Sequence, residues 1–384
     1  MNKRIGIKIL IAGFAAGMPL MALASYAYVG TYNPNGKGVY RFTINAEGAL
    51  TGKTLVSQLP NQAQMVSSAD GKYLYIGSET EKGSVTAYKV GADGNLTQLN
   101  QADTRGAGPV YLSLTPDNRH LMVANYVSGS ISVFNVQPDG RLGDLTDHHQ
   151  DSGPAGAAYP AGASEGSFAI SDHNGPHAHM VASDPHSRFV YSTDLGLDRI
   201  YQYRLNKNGT LTPAIPAWIN ASSEGAGPRH FVFNQDGKTL WLVNEEASTL
   251  THYAIDQHTG ALKERATVST LPGGYKGTSF AAGLVIDHAG KNIYVANRLH
   301  NSIAHFMINS DGTLTYKDDV WTRGDYTRTL TLSPDGSMIY AMNQRSDNIT
   351  SFRVDSKSGA LQFTGDYFAI GAPSQMVIVP EVAK

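Results

Sequence analysis

The stretch Gly227–Glu245 alternates in blocks: a short apolar run Phe231-Val232-Phe233, a polar turn ending Asp236-Gly237, a second apolar run Leu240-Trp241-Leu242-Val243, and charged residues where the runs meet loops. Two short runs flanking an Asp-Gly turn predict a β-hairpin. The second run recurs as Leu74–Ser78, Leu121–Asn125, Val190–Asp194, Ile293–Asn297 and Ile339–Asn343, and near the start as Ala27–Thr31, where no first run precedes it. The seven copies end at positions 31, 78, 125, 194, 244, 297 and 343, most of them about 47 residues apart.

Each copy is followed by a third run, a turn and a fourth run, as in Ser84–Tyr88 with Asp93-Gly94, Ser130–Phe134 with Asp139-Gly140, and Arg199–Tyr203 with Asn208-Gly209. Four strands per repeat is the size of a propeller blade, so the pattern predicts an all-β, seven-bladed β-propeller with four antiparallel strands per blade. The missing inner strand of the first blade has a counterpart in the tail, where Pro373–Pro380 matches the pattern of Pro228–Val232. The ring is therefore expected to close by pairing of the C-terminal strand into the first blade. The long spacing between 125 and 194 holds an insertion rich in Gly, Ala, Ser and Pro, at about 153–174, just before His177. Its place suggests a cover for one mouth of the channel.

Composition narrows the setting. Thirty Lys and Arg against 32 Asp and Glu give no electrostatic footprint for nucleic acid. The absence of Cys excludes disulfides, zinc-thiolate sites and thiol catalysis. Lys3, Arg4 and Lys8 precede an apolar run from Ile9 to Leu23 that ends in the small residues of Ala22-Leu23-Ala24. This predicts a cleavable signal peptide over 1–24, a single propeller domain over 25–384, and a periplasmic or secreted protein that does not stay in the membrane.

In a propeller the starts of the inner strands surround the channel. That column reads Ala63, Val110, His179, Arg229, Ala282, Arg328 and Ser374. The residues that follow the second strands read Tyr32, Glu79, Tyr126, Leu195, Glu245, Arg298 and Gln344. Antiparallel pairing puts both columns on one face, which concentrates His179, Arg229, Glu245, Arg298 and Arg328 at one mouth. No phosphate-binding Gly loop is present.

Gly227-Pro228-Arg229-His230, Asn244-Glu245, Pro176-His177-Ala178-His179, Asp194–Arg199 and Ala296-Asn297-Arg298 together resemble the lactonase family of seven-bladed propellers, which includes propeller-type 6-phosphogluconolactonases and carboxy-muconate lactonizing enzymes. The resemblance spans essentially the whole mature chain. It implies hydrolysis of a small anionic or sugar lactone, with His179 (or its neighbour His177), Arg229, Glu245 and Arg298 at the active site; His177 and Arg328 are expected to bind substrate. On residue type, Glu245 is expected as the general base and His179 as the acid, with the arginines stabilising negative charge. One departure is Ala281-Ala282-Gly283, where many relatives carry Ala-Ala-Glu. No cofactor is expected. A divalent cation is the alternative, because Thr31, Ser78, Asn125, Asp194, Asn244, Asn297 and Asn343 form a column of oxygen-bearing residues. A binding platform without chemistry and a muconate-lactonizing enzyme are the competing functions.

Overall fold

A computed structural model describes residues 25–380, and the expected signal segment 1–24 lies outside the described residues. Seven four-stranded antiparallel sheets form the blades. Blade 1 comprises Ser25–Thr31, Val39–Ile44 and Leu50–Ser57, with Pro373–Pro380 as its inner strand. Blade 2 runs from Gln62–Ser67 to Leu96–Asp103, blade 3 from Pro109–Leu114 to Leu142–Gln150, and blade 4 from Ala178–Ser183 to Leu211–Asn220. Blades 5, 6 and 7 begin with Pro228–Phe233, Phe280–Ile286 and Thr327–Leu332. Residues Ser25 to Thr31 pair with Pro380 back to Pro373, so the first and last strands share one sheet as the repeat predicts.

Seven apolar clusters hold the ring together, one between each pair of adjacent blades. Between blades 4 and 5, for example, Phe189 and Tyr191 pack with Phe231, Leu240 and Tyr253. A polar lock recurs beside these clusters. The buried tyrosine of a second strand donates its hydroxyl to a glycine carbonyl in the outer turn of the next blade: Tyr28 to Gly94 (2.7 Å), Tyr75 to Gly140 (2.9 Å), Tyr191 to Gly260 (2.6 Å), Tyr294 to Gly359 (2.7 Å) and Tyr340 to Gly48 (2.7 Å). Gly140 shows why glycine is needed there: it has φ of 83°, and a Cβ would lie 2.2 Å from the Tyr73 ring. Blade 3 carries Met122 and blade 5 carries Trp241 at the tyrosine position, and the Trp241 indole donates within its own blade to Asn234 (2.8 Å).

The inner strands share a feature that positions the site. In every blade the register between the inner and second strands slips by one residue near the mouth, and the slip falls at Ala63, Val110, His179, Arg229-His230, Ala282-Gly283, Arg328 and Ser374. Each slip is a β-bulge, in which the inner strand carries one residue more than its partner. These are the positions of the first column, so the bulges mark the residue that each blade contributes there.

The insertion packs on the loops between blades 4, 5 and 6 rather than looping away. Ser167–Phe168 forms a short parallel pair with Gly277–Thr278 before blade 6, Ser164 donates to Ser269 (2.8 Å), and the Ala161 amide donates to Glu224 O (2.9 Å). No helix among the described residues is long and apolar enough to cross a membrane.

Removing one tyrosine hydroxyl leaves a buried glycine carbonyl unpaired. Tyr340→Phe is therefore expected to cost about 1–3 kcal/mol in chemical denaturation. Exposed Tyr159→Phe, which breaks no such lock, should leave the midpoint in place.

Candidate active site

The charged centre is built from both columns. Arg229 sits in the bulge of blade 5, Glu245 follows the second strand of the same blade, and Arg298 ends the second strand of blade 6. The backbone fixes the first pair, since the Glu245 amide donates to Gly227 O (2.7 Å). Arg229 Nε donates to Glu245 Oε2 (2.8 Å), and Arg298 Nη2 forms an ion pair with the same oxygen at 2.6 Å. All three are buried, with 1%, 6% and 3% of their surface exposed. A carboxylate and two guanidiniums this far from water hold their geometry tightly, because removing one leaves an uncompensated buried charge.

Electrostatics follow from that geometry. Burial alone would raise the Glu245 pKa, but Arg298 and Arg229 hold it below the usual carboxylate value, so the group stays ionised. Burial and the charge of Arg298 push Arg229 down to about 9, which still leaves it charged at neutral pH. Burial penalises the Arg328 charge, yet Tyr32 and the carboxylates of Glu79 and Glu245 outweigh this and raise its pKa. Arg328 lies with its Cζ 5.4 Å from the Tyr32 ring, whose hydroxyl donates to Glu79 Oε2 (2.6 Å).

Two imidazoles border the arginines. Arg229 Nη1 lies 3.1 Å from His230 Nδ1, and because a guanidinium can only donate, this nitrogen is the acceptor and the ring proton belongs on Nε2. His230 meets His179 edge to face at 5.0 Å, and His179 meets Tyr126 in the same way at 5.4 Å. Burial, reinforced by Arg229, His230 and Arg328, pushes His179 well below the ordinary histidine value. His230 is lowered in the same direction by burial and the three arginines. Both rings are therefore neutral at pH 7. Among the described residues, His179 Nδ1 and His230 Nε2 are buried without a hydrogen-bond partner. Below them the channel holds a cavity of about 270 Å³ lined by Gln64, Tyr111, His230, Gly283, Thr329 and Gln375 among others.

The structure thus brings His179, Arg229, Glu245, Arg298 and Arg328 to one mouth. His177, expected to bind substrate, makes its contacts with Tyr126 and Asn174. Its ring stacks on Tyr126 at 4.6 Å, and its nitrogens lie 3.0 Å from Tyr126 O and 2.6 Å from Asn174 Oδ1. It braces blade 3 and the insertion against blade 4. Gly283 also has a packing reason: a Cβ there would stand 2.8 Å from the Cα of Thr329, so the approach of blade 7 leaves no room for a longer side chain.

The amides of the oxygen-bearing column are tied to their blades through their nitrogens, while Ser78 Oγ, Asn125 Oδ1, Asp194 Oδ2 and Asn244 Oδ1 are buried without a hydrogen-bond partner among the described residues. Asn125 donates to Ser130 and Ser132, Asn244 to Thr249 and Thr251, Asn297 to Thr270 O and Ser302, and Asn343 to Thr350. Asp194 accepts from the amides of His177 (2.9 Å) and Leu197 (2.8 Å). Among the described residues no cluster of three or more His, Cys, Asp or Glu side chains is placed to hold a metal ion.

Sequence reasoning passed over the anchor of the insertion. His173 Nε2 lies 2.5 Å from Glu246 Oε2, the Ser171 amide donates to Glu246 Oε1, and Asp172 accepts from the Tyr126 hydroxyl (2.7 Å). Burial works against the charge of His173, but the hydrogen bond and charge of Glu246 outweigh it and raise its pKa. The available signal was Glu246 itself, a second carboxylate directly after Glu245.

With this geometry in view, comparison with known proteins is informative. The profile of the family described as "Lactonase, 7-bladed beta-propeller" matches residues 26–378. The chain belongs to this family. It is 31% identical over 341 residues to the 6-phosphogluconolactonase of Bacillus subtilis, covering 87% of this chain and 92% of that one. It is 28% identical over 351 residues to the 6-phosphogluconolactonase of Pectobacterium carotovorum, covering 90% and 96%. Among solved structures it resembles the periplasmic gluconolactonase PpgL of Pseudomonas aeruginosa, with a TM-score of 0.84, 26% identity, and coverage of 94% of this chain and all 100% of that one.

The buried His173–Glu246 pair makes the insertion's attachment testable. Glu246→Ala should lower the free energy of opening of residues 153–174 by about 3–5 kcal/mol, read as faster hydrogen exchange and earlier proteolysis confined to that segment.

Proposed function

We propose that this protein hydrolyses a sugar lactone at the mouth formed by His179, Arg229, Glu245 and Arg298, releasing the open-chain acid. The observation that carries the reading is the single Glu245 oxygen shared by two buried guanidiniums, beside a histidine that its surroundings keep neutral. Opening a lactone requires a water to lose a proton as it attacks the carbonyl, and requires the resulting oxyanion to be stabilised. The N–H groups of Arg229 and Arg298 not engaged by Glu245 supply fixed positive charge for that oxyanion. His179 takes the proton from water. On collapse, the bond to the ring oxygen breaks and the imidazolium returns the proton to that oxygen as it leaves.

This exchanges the roles expected from residue type. Glu245 is ionised, but both arginines lower its pKa and hold it, so it is a weak base and a strong clamp. A neutral imidazole has the free lone pair that proton abstraction needs, and a negative oxyanion nearby would raise its basicity as the reaction proceeds. Arg328 adds positive potential across the mouth. The reading uses no metal: the three arginines provide the charge that a cation would, and activity is expected to survive exhaustive chelation.

The named activities of the relatives support a six-carbon sugar lactone as substrate. Export to the periplasm fits the N-terminal sequence and the location in the name of the Pseudomonas structure. The test is ring opening of glucono-δ-lactone and its 6-phosphate, corrected for spontaneous hydrolysis. Ring closure of a muconate, or calorimetric binding without turnover of any lactone, would overturn the proposal. The depressed pKa of His179 sets the pH dependence. The base must be neutral, so kcat/KM should hold as pH falls through about 6.5, the ordinary histidine value, and drop only below it. His179→Asn should lower kcat by about 100-fold or more. An acid limb at or above the ordinary value would remove His179 as the base.

A further inference from the structure

Tyr326 has φ of 62°, a left-handed conformation that an aromatic residue adopts only under constraint. The constraint is visible. The Tyr326 amide donates to Asn301 Oδ1 (2.9 Å), Asn301 Nδ2 donates to Asp325 Oδ1 (3.0 Å), and the Gln344 amide donates to Tyr326 O (3.1 Å). The turn is braced by blade 6 on one side and by the end of the second strand of blade 7 on the other. Its product is the position of one ring. Arg298 Nη1 donates to the Tyr326 hydroxyl at 3.3 Å with its Cζ 5.1 Å from the ring centre, and Arg345 stacks on the same ring at 3.8 Å.

Arg345 differs from the other arginines of the mouth. Arg229 and Arg298 share Glu245, and Arg328 lies within the field of Glu79 and Glu245. Arg345 is exposed, and among the described residues its guanidinium has no ion-pair partner and no side-chain hydrogen bond. The acids nearest in sequence are engaged elsewhere: Asp325 accepts from Asn301, and Asp347 from Asn35 and the Ala372 amide. Stacking on the ring occupies the face of the guanidinium and leaves its N–H edge free for a bidentate anion.

We propose that Arg345, held on Tyr326, is a distal anion subsite of this mouth that recognises a phosphate or carboxylate carried on the substrate away from its ring ester. The proposal rests on the lactonase reading for its geometry, with the ester at Arg229 and Arg298 and the charged substituent one aromatic ring further out. Tyr326 links the two stations and fixes their separation, and a six-carbon chain is long enough to reach both. An uncharged lactone would engage the inner station alone.

The experiment compares three lactones in the full-length protein: glucono-δ-lactone, which is neutral, its 6-phosphate, and glucaro-1,4-lactone, which carries a carboxylate. In Arg345→Ala the ratio of kcat/KM for the charged over the neutral substrate should fall about tenfold or more, the scale of a lost charge-assisted hydrogen bond, with the change in KM. Arg345→Lys should restore part of the ratio. Tyr326→Ala should lower it as Arg345→Ala does. The arm that falls, phosphate or carboxylate, identifies the anion. Unchanged ratios for both would overturn the subsite while leaving the lactonase reading in place. If the wild-type protein opens none of the three, that reading fails and the subsite is tested by calorimetry with 6-phosphogluconate and glucarate. Weaker binding by Arg345→Ala then supports it, and equal or absent binding overturns it.

Discussion

The constraint on which the site depends is the β-bulge repeated at the start of all seven inner strands. A regular antiparallel strand would alternate its side chains between the two faces of the blade. One extra residue in each inner strand breaks that alternation at the mouth and gives every blade one position released from sheet packing. Closure of the ring by Pro373–Pro380 fixes the seven positions around a common axis. Blades 4, 5 and 7 fill theirs with His179, Arg229 and Arg328, whereas blades 3, 6 and 1 place Val110, Ala282 and Ser374 there. The scaffold is nearly symmetric, and its chemistry is confined to one sector.

Within that sector charge is arranged so that each group constrains the next. Glu245 orients two guanidiniums, Arg229 fixes the tautomer of His230, and burial, reinforced by the positive field, keeps His179 neutral. Such a site is costly to form, since several ionised groups leave water, and the network tolerates this only because the charges are paired and hydrogen-bonded. In the proposed mechanism the same cost serves catalysis. A positive, buried mouth would stabilise an oxyanion far more than bulk water could, with little rearrangement required during the reaction. The insertion is pinned beside this mouth through Glu246 and His177.

Much of this is legible in the sequence because the repeat is. Gly227–Glu245 and its siblings define seven blades by the periodicity of apolar runs, and the tail strand follows from the one blade that lacks a partner. The two columns could be drawn without knowledge of the bulge because every blade carries it, so the alignment stays in phase. What the extra residue does to side-chain direction is invisible in a linear pattern. His230 stands in the motif beside Arg229, but its role depends on a hydrogen bond to its own neighbour. Tyr326 and Arg345 escape because backbone strain leaves no compositional mark, and because Arg345 stands one residue beyond the column at Gln344. The stacking of His177 on Tyr126 joins residues 51 positions apart, so the linear pattern does not show it.

The most direct test of the account is the rate of ring opening of glucono-δ-lactone above its spontaneous rate, measured for the wild-type protein and for Glu245→Gln, a variant that keeps the shape of the clamp and removes its charge. The account predicts clear turnover by the wild type and a loss of about 100-fold or more in the variant, the scale of removing oxyanion stabilisation, while its far-ultraviolet circular dichroism stays that of the folded propeller. Equal rates for the two proteins would contradict it.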